Sequence, residues 1–120
     1  MIYSKKHINK KMQKIKCLLN EELNAKNIFT KSENYLREYI FQDIETLKEI
    51  FDSSYNFIDK NNLKKYFELA TVRIDIVKNM EPELLRYKVS YRIFDHEENW
   101  LKNYYIFFDE FGQYLDDFFD

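Results

Sequence analysis

The sequence of 120 residues contains one glycine (Gly112), one proline (Pro82) and one cysteine (Cys17). A single cysteine excludes an intrachain disulfide. A single glycine excludes a glycine-rich phosphate cradle, and neither G-x-x-x-x-G-K-[ST], G-x-G-x-x-G nor G-x-S-x-G occurs. So few chain breakers imply long elements with short polar connections. Long apolar runs are also missing. The longest, Tyr104–Phe108, is far short of a membrane span, and Cys17–Leu19, beside the basic N-terminus, is too short for a signal-peptide core. A cytoplasmic protein that does not engage a membrane is the expectation. The two histidines, His7 and His96, form no H-E-x-x-H, and His96-Glu97-Glu98 are loop neighbours with no partner motif to complete a metal site. Cys17 falls among apolar helical positions and reads as a small buried thiol. No catalytic residue, metal site or cofactor is expected, and the chain reads as non-enzymatic.

What is present is a core and a charge gradient. Hydrophobic residues make up 45% of the chain and charged residues 33%, the balance of a folded protein of one domain. Ten tyrosines, eleven phenylalanines and one tryptophan supply large side chains to that core. The formal charge of −2 conceals two opposed ends. Residues 1–16 carry six lysines (5, 6, 10, 11, 14 and 16) and no carboxylate, a net +6. Residues 95–120 carry eight carboxylates against Lys102 alone, a net −7. With no arginine in the first 36 residues and a pI near 5.8, the basic end reads as a solvated helix face and a nucleic-acid partner is disfavoured.

The periodicity changes along the chain. Ile8, Met12, Ile15, Leu19 and Leu23 recur at helical spacing and predict a helix over 4–24, with Ser4 as N-cap and with tertiary packing holding its stripe. Thr30 and Glu33 form a capping-box pattern ahead of a helix over 31–52, whose stripe is Leu36, Ile40, Ile44, Leu47 and Phe51, widened by Tyr39 and Ile50. A third helix is predicted at about 60–70, capped by Asp59, with Leu63, Tyr66, Phe67 and Ala70 inward. Val72, Ile74 and Ile76 then alternate with Arg73 and Asp75 as in a strand, although 71–77 also fits a continuation of that helix. A turn around Pro82 follows. Leu85, Tyr87, Val89, Tyr91 and Ile93 alternate with Arg86, Lys88, Ser90 and Arg92, predicting a half-buried antiparallel strand over 84–94 with a basic outer face. A polar loop at 95–99 leads to a strand over 100–109 that is apolar on both faces. The expected fold is α+β: three N-terminal helices (within 1–70) packed on a three- to four-stranded antiparallel β-meander (71–120).

The last seventeen residues, Tyr104–Asp120, hold eight aromatic rings, five carboxylates, the only glycine and no lysine or arginine. Gly112 fits the left-handed position of a hairpin turn through Asp109, Glu110 and Phe111. In the following strand Asp116 and Asp117 point to opposite faces and so cannot chelate one ion together. Clustered carboxylates steer basic partners, and interspersed tyrosines suit binding surfaces.

The ending KNYYIFFDEFGQYLDDFFD, an aromatic strand, a D-x-x-G turn and an acidic-aromatic strand, resembles the small immunity proteins of bacterial toxin systems, including contact-dependent growth inhibition. The resemblance lies mainly in residues 84–120 and in the profile of a short chain without catalytic motifs. It implies a protein that binds a cognate toxin domain, commonly a basic nuclease, and blocks its active site or substrate surface. The partner-binding residues it suggests are Asp109, Glu110, Tyr114, Asp116, Asp117 and Asp120, with Glu97 and Glu98 in the adjoining loop. The uniformly acidic immunity proteins lack a basic first helix such as this one. The alternatives are a nucleic-acid-associated or regulatory protein using that helix, or an interaction module for another partner.

Overall fold

The computed structural model describes residues 5–79 and 83–120, with side chains from residue 9 onward. The expected Ser4 cap and Pro82 turn lie outside the described residues. The expected α+β architecture is observed: N-terminal helices precede a four-stranded antiparallel sheet of order β1-β2-β3-β4.

Helix α1 spans Lys5–Ala25. Its periodic stripe does not pack as expected. Leu23 is buried, whereas Met12, Ile15 and Leu19 are 55%, 45% and 43% exposed, and Leu18 joins them at 58%. Among the described residues, the helix meets the body through its last turns, where the Tyr87 hydroxyl donates to Glu22 Oε1 at 2.7 Å. Cys17, expected to be buried, is exposed for the same reason.

The helix expected over 31–52 is two helices, α2 (Ile28–Tyr35) and α3 (Ile44–Phe51). A π turn at Leu36–Ile40, closed by the Phe41 N–H donating to the Leu36 carbonyl at 2.8 Å, ends the first. Asp43 starts the second: extended at φ −97°, it accepts from the N–H groups of Glu45 and Thr46 and from the Thr46 hydroxyl. This local cap outcompetes helix continuation. Thr30 lies inside α2, which begins after Asn27 in the left-handed region, so the Thr30–Glu33 box does not form. The division turns Ile44 and Tyr39 to solvent while Leu36, Ile40, Leu47, Ile50 and Phe51 stay buried.

No third α-helix forms at 60–70. Two 3₁₀ turns, Asp52–Phe57 and Leu63–Tyr66, lead into β1 at Phe67. Asp59 closes a turn, its carboxylate accepting from Asn61 N–H while its own N–H donates to the Tyr66 hydroxyl. Residues 71–77 are strand: β1 (Phe67–Val77) pairs along the whole of β2 (Leu84–Phe94), from Phe67↔Ile93 to Val77↔Leu84, with a bulge at Ala70. Ladder formation and burial on β2 override the helical spacing of Leu63–Ala70. Strand β3 is Trp100–Asp109 and β4 is Tyr114–Phe119.

Gly112 occupies the hairpin turn with φ +79° and donates its N–H to the Asp109 carbonyl at 3.0 Å. A Cβ here would lie 2.7 Å from Lys31 Nζ and 3.0 Å from the Lys26 carbonyl, because the turn packs on the start of α2. The positive φ is the stronger reason for glycine, and the Lys26 carbonyl adds to it, whereas the flexible Lys31 tip could move aside.

One face of the sheet carries the helices. Tyr87, Val89, Tyr91, Ile93, Tyr104, Ile106 and Phe108 are buried there with Leu23, Ile28, Leu36, Leu47 and Phe51. Each such side chain contributes about 1.5–3 kcal/mol of burial. The tyrosine hydroxyls reach polar partners at the rim of this core. Ser32, fully buried, spends its one proton on the Phe29 carbonyl at 2.9 Å, so the Tyr91 hydroxyl donates to it at 2.7 Å.

Candidate functional site

The carboxylates suggested by sequence do not gather in one place. Strand β3 is ten residues long, so its ends are roughly 30 Å apart. Glu97 and Glu98 sit in the loop before it, and Asp120 beside its start, where Asp120 and Asn103 exchange backbone hydrogen bonds. Asp109 and Glu110 sit at its far end. Asp116 and Asp117 pair with Phe107 and Ile106 and therefore face opposite sides of the sheet, as expected.

Several of these acids serve the fold. Asp109 Oδ1 accepts from the N–H groups of Phe111 and Gln113, tying the hairpin turn. Asp117 is half-buried on the helix side and accepts from the hydroxyls of Tyr104 (2.7 Å), Tyr114 and Tyr35 (3.4 Å). Burial and then the bond to Asp117 push the Tyr104 hydroxyl well above the ordinary tyrosine range; the same causes raise Tyr114. Tyr114 also stacks on Tyr35 with ring centroids 4.6 Å apart. Asp95 is held below the usual carboxylate range by N–H donors from Asn99 and Glu97, which lock the loop that presents Glu97 and Glu98. The acids left exposed are Glu97, Glu98, Glu110, Asp116 and Asp120.

Around the hairpin, exposed apolar side chains accompany them. Phe111 is 68% exposed, Leu115 50% and Phe118 44%. Leu115 was not anticipated: a bulge between the Phe107↔Asp116 and Phe108↔Tyr114 pairs places it on the edge strand. Since β4 ends the sheet order, the acidic-aromatic strand is an edge.

The second surface is the sheet face without helices. Arg73 on β1, Arg86, Lys88 and Arg92 on β2, Asn103, Tyr105 and Phe107 on β3, and Asp116 and Phe118 on β4 are cross-strand neighbours there. Lys88 Nζ lies 4.3 Å from the Tyr105 ring centroid and the Arg86 guanidinium 4.8 Å from that of Phe107. These cations shelter aromatic faces that would otherwise meet water. Arg86 Nε is 3.9 Å from Asp75 Oδ2 and, among the described residues, makes no hydrogen bond. The basic outer face of β2 was legible from alternation. The aromatic half was not, because only the register of β3 against β2 brings Tyr105 and Phe107 beside Ser90 and Lys88.

Among the described residues, no group of three His, Cys, Asp or Glu side chains could hold a metal ion, and no helix is long and apolar enough to cross a membrane. No protein-family model, no curated protein and no solved structure matches this chain.

Proposed function

We propose that this protein acts by binding and not by catalysis, as an immunity-type inhibitor that covers a basic toxin domain with its acidic β3–β4 hairpin and edge strand. The observation that carries this reading is the composition of that edge. Glu110, Asp116 and Asp120 lie along it, exposed, beside Phe111, Leu115 and Phe118, and no lysine or arginine occurs from Asn103 onward. Exposed rings supply contact area, carboxylates steer a basic surface into place, and an edge strand offers backbone groups to a partner. Asp109, Tyr114 and Asp117 contribute by holding the hairpin in shape.

Co-expression with the product of the gene immediately upstream, followed by size-exclusion chromatography, tests the reading. A complex stable at micromolar concentration is expected, weakened at least about 30-fold by joint Glu110→Lys and Asp116→Lys substitution. Absence of a complex, or one indifferent to both reversals, overturns it.

A further inference from the structure

We propose that the open face of the sheet is a docking surface for single-stranded nucleic acid, independently of the hairpin's role. The face holds a shallow open concavity of about 620 Å³ over β1, β2 and β3, lined by Arg73, Lys88, Arg92, Trp100, Asn103 and Tyr105 among others. That is space for a nucleotide-sized group. No carboxylate lines it. Glu68 stands opposite Arg92 in the β1–β2 register, yet among the described residues none of Arg73, Lys88 and Arg92 is in an ion pair. Arg73 and Lys88 are direct cross-strand neighbours. Like charges placed opposite each other destabilise a sheet unless an anion lies between them.

The rings decide which anion. Trp100 is 60% exposed, and its indole N–H donates to Asn103 Oδ1 at 3.2 Å, which fixes the ring's orientation. Tyr105 shares that face farther along the same strand, half-exposed, with the Phe118 ring at 4.9 Å and Lys88 Nζ over its own ring at 4.3 Å. An acidic peptide would use the cations alone. A single strand would use both sets: one base stacks on Trp100, a phosphate draws Lys88 off the Tyr105 ring so that a second base stacks there, and further phosphates lie against Arg73 and Arg92. Duplex is a poor fit, because its bases are already stacked and not free to lie on the rings. The low pI and the arginine-free first 36 residues argue against α1 as a nucleic-acid reader; they say nothing against a face whose cations lie on β1 and β2.

Trp100 is the only tryptophan, so its fluorescence reports contact directly. Titration with oligouridine and oligothymidine of about twelve nucleotides at roughly 50 mM salt should quench it. Affinity should fall with salt with a log–log slope of about −2, the value for three phosphate-contacting cations on a single strand. By fluorescence anisotropy of labelled oligomer, Trp100→Ala and Tyr105→Ala should each weaken binding about 5- to 100-fold. Arg73→Glu should weaken it and flatten the salt slope. Trp100 is exposed, so its alanine variant keeps the fold, which circular dichroism verifies. No binding at roughly 100 µM protein overturns the proposal. So does equal affinity for polyglutamate of the same length, or binding that survives the ring variants and disappears when Lys10, Lys11 and Lys14 are reversed to Glu.

Discussion

The two faces of the sheet are built from the same strands and behave differently. On the helix side, Val89, Ile93 and Ile106 are fully buried, and the Tyr87, Tyr91 and Tyr104 hydroxyls each find a defined acceptor: Glu22, Ser32 and Asp117. On the open side the neighbouring residues are cations resting on aromatic rings, with Trp100 and Phe118 in water. Alternation alone produces this division, since each step along a strand changes face. The covered face specifies the fold; among the described residues no helix packs on the open face.

The largest effect that could break this contrast is a core deletion. Ile106→Ala should cost about 2–5 kcal/mol, whereas Trp100→Ala should stay within about 0.5 kcal/mol, both read from urea unfolding. Comparable costs for the two would mean that something covers the open face.

Alkaline pH gives a smaller effect of known sign. The buried Tyr87 and Tyr104 are raised above the ordinary tyrosine value of 10.0, first by burial and then because they donate to carboxylates, and the more exposed Tyr114, which donates to Asp117, is raised in the same direction. The unfolded chain loses these protons first. Their contribution to stability is therefore complete below about pH 10 and declines as pH rises through the folded-state values. The urea midpoint should fall above that pH, and Tyr104→Phe should shallow the fall. A midpoint equally steep in both proteins would place the Tyr104 hydroxyl in solvent.

The smallest effect concerns α1. Ile15→Ser should change stability by less than about 0.5 kcal/mol, because Ile15 is 45% exposed and lies outside the buried core. A loss above 1 kcal/mol would show the stripe covered in solution.

How far the sequence could be read follows from how local each signal is. Strand β2, the β3 limits and the glycine turn rest on alternation and on one residue's φ, and all three stand. The division of α2 from α3 depends on Asp43 competing as a cap, and the early start of β1 on Phe67 pairing with Ile93, 26 residues farther along the chain. Helical periodicity in α1 is real, but periodicity says nothing about whether a surface exists to receive the stripe. For the site, charge along the sequence exposed the acids, and only three-dimensional register shows that Asp109 and Asp117 are committed to internal hydrogen bonds. The same register assembles Arg73, Lys88 and Tyr105 from three strands that no linear motif joins.

Thiol labelling at two adjacent positions tests the two-faced sheet most directly. In a Cys17→Ser background, single cysteines replace Arg92, exposed on the open face, and Ile93, fully buried on the other. The Arg92→Cys thiol should react within about tenfold of an unstructured peptide. The Ile93→Cys thiol should be slowed by a factor of about 1,000 or more, because it reacts only when the protein opens. Similar rates at the two positions, both fast or both protected, would contradict a sheet with one covered and one open face.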